Sequence, residues 1–128
     1  MSPQEPRELN VVFRRQAGWL RVHVTGESTL ENTIAYWQAI AAELLREPVA
    51  SILLVEELHG VPLTASQWFE LVAGMRGSGL ERVRIAHVMP QGLHSVEFCE
   101  IFARDAGFEA RVFDNEPAAE IWLKYGER

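Results

Sequence analysis

The groups in this 128-residue chain that could do chemistry are four histidines, a single cysteine and the acidic pair Glu56-Glu57. A helical metal site sets two imidazoles four residues apart, and no pair among His23, His59, His87 and His94 has that spacing. With one cysteine there is no cysteine cluster either. His94 and Cys99 stand five residues apart, roughly 140° around a helix, which is a poor setting for a cysteine–histidine nucleophile. Cys99 therefore reads as a small core residue, with Ser95 one helical turn before it. His23 and His87 fall inside alternating segments, where an exposed or internally satisfied imidazole is expected. His59 and His94 differ, because each follows an apolar run and begins a loop or helix.

Nucleotide and hydrolase signatures are missing. No glycine-rich dinucleotide fingerprint follows the first apolar segment, no GxxxxGK[ST] occurs, and no GxSxG elbow presents a serine. Gly77, Gly79 and Gly92 read as loop glycines that serve backbone geometry. A phospho-receiver would need an early acidic pair, an aspartate ending a middle strand and a late lysine. Here the middle run ends in Glu56-Glu57 and the only lysine is Lys124, so that chemistry is rejected.

These groups must be positioned by a small set of elements. Leu9 to Arg15 and Trp19 to Val24 predict two strands joined through Gln16-Ala17-Gly18 as a hairpin. Ser28-Thr29-Leu30-Glu31 has the form of a capping box, and the helix after it carries Leu30, Ile34, Trp37, Ala41 and Leu44 on one face until Pro48 stops it. Ser51 to Val55 is a continuous apolar strand of the kind helices cover on both faces. Thr64 to Gln67 is a second capping box, opening a helix with Trp68, Leu71, Val72 and Met75 that exits near Gly77. Arg82 to Met89 predicts a strand, Leu93 to Ala106 a helix, Glu109 to Phe113 the last strand, and Asp114 to Pro117 the start of a closing helix.

The order ββαβαβαβα implies an α/β domain, a mixed and mostly parallel sheet with an antiparallel N-terminal hairpin and about four helices. It spans residues 9–128, with residues 1–8 expected to be disordered. Ligands of open α/β sheets bind beyond the carboxyl ends of the strands. That rule marks Glu56, Glu57, His59, Gly60, Pro90, Gln91 and His94 as a candidate rim for a ligand or partner, with Asp114 beside it.

Composition narrows the partners. A net charge of −6 argues against a nucleic-acid partner and against docking on anionic lipid. A lone cysteine permits no intrachain disulfide, and no stretch approaches the ~20 apolar residues of a membrane span, so a cytoplasmic protein is expected. Trp19, Trp68 and Trp122 lie near element ends, where an exposed indole anchors interfaces and a buried one packs the core. The hairpin edge offers a route to a homodimer.

The succession GWLRVHVTGESTLE, SILLVEELHGVPLTASQW, RVRIAHVMP and EARVFDNEPAAEIWL resembles the STAS superfamily, and within it the short stand-alone SpoIIAA-like bacterial domains. The resemblance covers residues 9 to 124. It implies a regulatory or binding module without catalysis or a cofactor, working through protein–protein contact or a small ligand. In anti-sigma-factor antagonists of that superfamily, a serine opening the helix after the central strand is phosphorylated. The matching position here is Ser66, where the family's aspartate, second serine and glycine are replaced. The rival expectation is a small enzyme or apolar-ligand carrier using a pocket rimmed by Glu56, His59 and His94.

Overall fold

The computed structural model describes residues 8–16, 18–90 and 97–126, with the backbone alone at 97–99. The expected disorder of residues 1–8 therefore falls, apart from Glu8, outside the described residues.

Five strands form one sheet in the order β1-β2-β3-β4-β5. They are β1 (Leu9–Gln16), β2 (Trp19–Glu27), β3 (Ser51–His59), β4 (Arg84–Val88) and β5 (Glu109–Phe113). β1 runs antiparallel to β2, and every later neighbour is parallel. The helices are α1 (Leu30–Arg46), α2 (Ala65–Gly74), α3 (Glu97–Asp105) and α4 (Glu116–Tyr125). The α/β class, the hairpin and the parallel remainder are those expected from the chain's periodicity.

Each of α1, α2 and α3 connects a strand to its immediate parallel neighbour, always stepping the same way. Crossovers of this kind are right-handed, so all three helices must land on one face. Their side chains pack there with Leu20, Val22, Ile52, Leu54 and Ile85 in a single core. Only α4 crosses to the other face, where Ala119 and Trp122 cover Leu53, Val55, Ala86 and Val88. Because the strand order never reverses, the sheet has no topological switch point and no crevice of the sort that rule describes.

Several boundaries shift for identifiable reasons. β1 reaches Gln16, paired with Trp19, so the hairpin link is two residues rather than three. β3 continues four residues past Val55, because β2 extends beside it until Glu27 meets His59. Glu56 and Glu57 are thus strand residues and not loop residues. The cap of α1 is Thr29, whose Oγ1 accepts from the Asn32 backbone N–H at 3.0 Å, one position later than the expected serine. The second capping box forms as expected, with Thr64 and Gln67 satisfying each other's backbone N–H. α2 ends at Gly74, three residues ahead of the left-handed Gly77. β4 starts at Arg84, after a 3-10 turn over Leu80–Arg82.

The buried stripe of α1 is also rotated. Thr33, Tyr36, Trp37, Ile40 and Leu44 face the sheet, and Ile34 is left partly exposed. Apolar spacing alone misses this, since two of the inward residues are polar and find their own partners. Thr33 Oγ1 donates to the Thr29 carbonyl, and Tyr36 reaches a carboxylate below.

Candidate functional site

That carboxylate is Glu56. Strand alternation puts it on the same face as Ile52 and Leu54, beneath α1, where it is only 6% exposed. β4 pairs His87 with Leu54, so His87 is the diagonal neighbour of Glu56 on that face. Glu56 Oε1 accepts from Tyr36 Oη at 2.5 Å and lies 2.7 Å from His87 Nε2. The Tyr36 hydroxyl donates, and the His87 ring nitrogen takes the role its tautomer allows. Tyr36 is 0% and His87 2% exposed, which encloses the three groups completely.

Indoles wall this cluster. Trp37 meets the His87 ring edge-on at 6.0 Å between centroids, and Trp68 does so at 6.2 Å. The sequence reading puts Glu56 on a solvated rim, and it expects an exposed or internally satisfied imidazole at His87, of which the second holds. The fold instead joins them in one buried cluster with Tyr36, which was not singled out at all. The available signal was the period-2 alternation of β3, Ile52 and Leu54, carried one step further to Glu56.

The remaining rim residues do not gather around Glu56. Glu57, next in the strand, lies on the opposite face, and its Oε1 sits 2.6 Å from His23 Nε2. His59 shares the parity of Glu57 and is exposed with Gly60 at the end of β3. Pro90 is exposed after β4, and Asp114 is exposed after β5. Gln91, His94 and Ser95 lie outside the described residues, as does the side chain of Cys99. Ser66 is exposed in the first turn of α2. Trp68 and Trp122 are core residues, and Trp19 is half-buried.

On the second sheet face, Arg21 forms a two-point ion pair with Glu116 at 2.9 and 3.1 Å. The hydrogen bond to Glu116 raises the Arg21 pKa above its already high ordinary value. This pair ties β2 to the start of α4. Among the described residues no group of three or more His, Cys, Asp or Glu could hold a metal ion, and no helix is long and apolar enough to cross a membrane.

Two of the spaces among the described residues bear on ligand binding. One, about 440 Å³, lies between α4 and the start of β2, lined by Trp19, Ser51, Glu120, Leu123 and Lys124. Each of these lining residues is half-buried or exposed. The other is a groove of about 280 Å³ between α1 and α2, lined by Ile34, Trp37, Ala41, Leu71, Met75 and Leu80 among others. α2 leans on α3 and leaves this gap toward α1. Trp37, Leu71 and Met75 also wall a further apolar cavity of about 30 Å³ that Trp68 borders. The groove and this cavity thus share three walls.

The chain matches no known family description and no curated protein.

Proposed function

We propose that this protein is a non-catalytic binding module that takes a small apolar ligand in the groove between α1 and α2. The observation that carries the reading is the groove itself. Two helices packed on the same sheet face leave an apolar cleft close to the size range of ligand sites, about 300–1,000 Å³. The enclosure of Tyr36, Glu56 and His87 supports a binding role over a catalytic one, because a general acid or base must reach substrate. Glu56 and His59 also lie on opposite faces of β3, which favours the binding reading over the enzymatic alternative. The SpoIIAA-like resemblance is part of the same proposal, since such modules bind and do not catalyse.

The test is a titration with ethylbenzene followed by amide resonances. Shifts confined to α1 and α2, and lost when Ala41→Phe fills the groove, are the expected result. Shifts spread over the surface, or unaffected by that substitution, refute the assignment.

A second reading, regulation through a protein partner, is favoured by the outer face of α2. Phe69 is 59% exposed, stacks edge-on against Phe102 at 5.5 Å, and stands one turn after Ser66. A phosphate on Ser66 would adjoin that apolar surface. Intact-mass spectrometry of the protein isolated from its own cells tests this, and a consistently unmodified mass rejects it.

A further inference from the structure

The two edges of the sheet differ in how they end. At β5, side chains of α3 take up backbone groups that face away from β4. The Val112 N–H donates to Glu100 Oε1 at 2.9 Å, and Arg104 Nε donates to the Ala110 carbonyl at 3.1 Å. That edge is closed to a further strand. β1, at the other end, pairs with β2 alone. The Glu27 N–H donates to the Glu8 carbonyl at 3.2 Å, which makes these two a hydrogen-bonded pair of the hairpin ladder. Alternation then aims the backbone groups of Asn10, Val12, Arg14 and Gln16 at β2, and those of Leu9, Val11, Phe13 and Arg15 outward. Among the described residues nothing hydrogen-bonds to these outward groups. The strand also lacks most of the usual defences of an open edge. It runs eight residues without proline or bulge, and Val12 is 58% exposed on it. Of its two charged residues, Arg15 is drawn onto α1 by Glu43 and onto the cap beyond it by Glu47.

We infer that β1 is a dimerisation edge, and that it pairs antiparallel with β1 of a second copy about a two-fold axis at Val12. The inference does not depend on the groove between α1 and α2. Self-complementarity selects this occupant. Outward groups must meet outward groups, and only a register centred on Val12 gives all of them a partner, Leu9 with Arg15 and Val11 with Phe13. The same register sets Arg14 against Asn10, so no like charges stand directly opposite each other. Centring on Arg14 would set two guanidinium groups face to face. On the axis the exposed Val12 covers its own copy. On the other face Val11 and Phe13, already packed against the core, continue the apolar layer across the join. Ladder hydrogen bonds give such an edge pairing its affinity, and the alternate side chains give it register. Two strands bury an area at the low end of protein interfaces, so a Kd on the order of 10–100 μM is expected.

Sedimentation velocity across that concentration range should show a reversible dimer. Val12→Lys sets two ammonium groups against each other at a solvent-facing position. It should weaken the dimer about fivefold to tenfold and leave a folded monomer by circular dichroism. Cysteines read the register. Cα atoms of a pair without ladder bonds lie about 4.5 Å apart, within disulfide reach. Val12→Cys should therefore cross-link in oxidised glutathione above the level that Cys99 gives the wild-type chain. Asn10→Cys mixed with Arg14→Cys should cross-link, and neither should do so alone. A monomer throughout the range overturns the inference. So does a dimer that Val12→Lys leaves equally tight, because its interface then lies elsewhere. Slow exchange of the outward amides in a monomer would also overturn it, since another part of the chain would then cover the edge. Arg14→Cys cross-linking by itself overturns the register.

Discussion

Glu56 and Glu57 are consecutive on β3 yet serve opposite sides of the sheet. Glu56 is sealed under α1 with Tyr36 and His87, whereas Glu57 stands in solvent beside His23. The two carboxylates therefore differ sharply in what their loss should cost. Glu56→Ala takes the shared carboxylate from a buried phenol and a buried imidazole, and a destabilisation of about 3–5 kcal/mol is expected. Glu57→Ala removes a surface pair and should cost roughly 0–1 kcal/mol. Urea unfolding of the two variants separates them, and equal midpoints would contradict the enclosed cluster.

Gly26 is expected to be the least replaceable glycine. Its φ is 139°, and a Cβ placed there would run into the Glu8 carbonyl oxygen just ahead of β1. Backbone cannot yield as a flexible side chain can, so Gly26→Ala should cost more than ~1 kcal/mol. Gly18 has φ 84° and no neighbour within 4 Å of such a Cβ. Asparagine tolerates that conformation, so Gly18→Asn should leave the thermal midpoint nearly unchanged.

The tie between α1 and β1 should be sensitive to acid. Glu43 Oε2 accepts from Arg46 at 2.6 Å and from Arg15 at 2.8 Å. The Arg46 hydrogen bond, followed by that of Arg15, holds the Glu43 carboxyl below its ordinary value of 4.5. A carboxyl with a depressed folded-state pKa contributes stability above its unfolded pKa, and that contribution disappears as pH falls through the folded value. The stability gap between wild type and Glu43→Gln should thus be full at pH 7 and shrink below 4.5. A gap constant down to strongly acidic pH would refute the linkage.

Ser66 occupies the first turn of α2, a turn without an acidic residue. Negative charge at a helix N-terminus is favourable by about 0.3–1 kcal/mol. Ser66→Asp should accordingly raise the unfolding midpoint slightly, and the gain should fade with added salt. A lowered midpoint would mean that the first turn cannot accept charge, phosphate included.

Legibility differed between the fold and the site. The strands were readable because apolar alternation on β2 and the continuous run on β3 are local signals of one-sided and two-sided burial. Helix starts at Thr29 and Thr64 were readable to within one residue, because a cap is a local hydrogen bond. Chain order with right-handed crossovers then leaves little freedom in layer arrangement.

The site was decided elsewhere. Tyr36, Glu56 and His87 come from three elements, and no spacing in the chain links them. Their meeting depends on β2 lengthening β3, on the Leu54–His87 register and on the rotation of α1 about its axis. Each is set by packing between segments distant in sequence. A carboxylate after an apolar run looks like the start of a solvated loop until a neighbouring strand extends beside it. The sequence on its own determined which segments become strands and helices. Only the tertiary structure decided which polar groups are buried together, because that depends on partners from other elements.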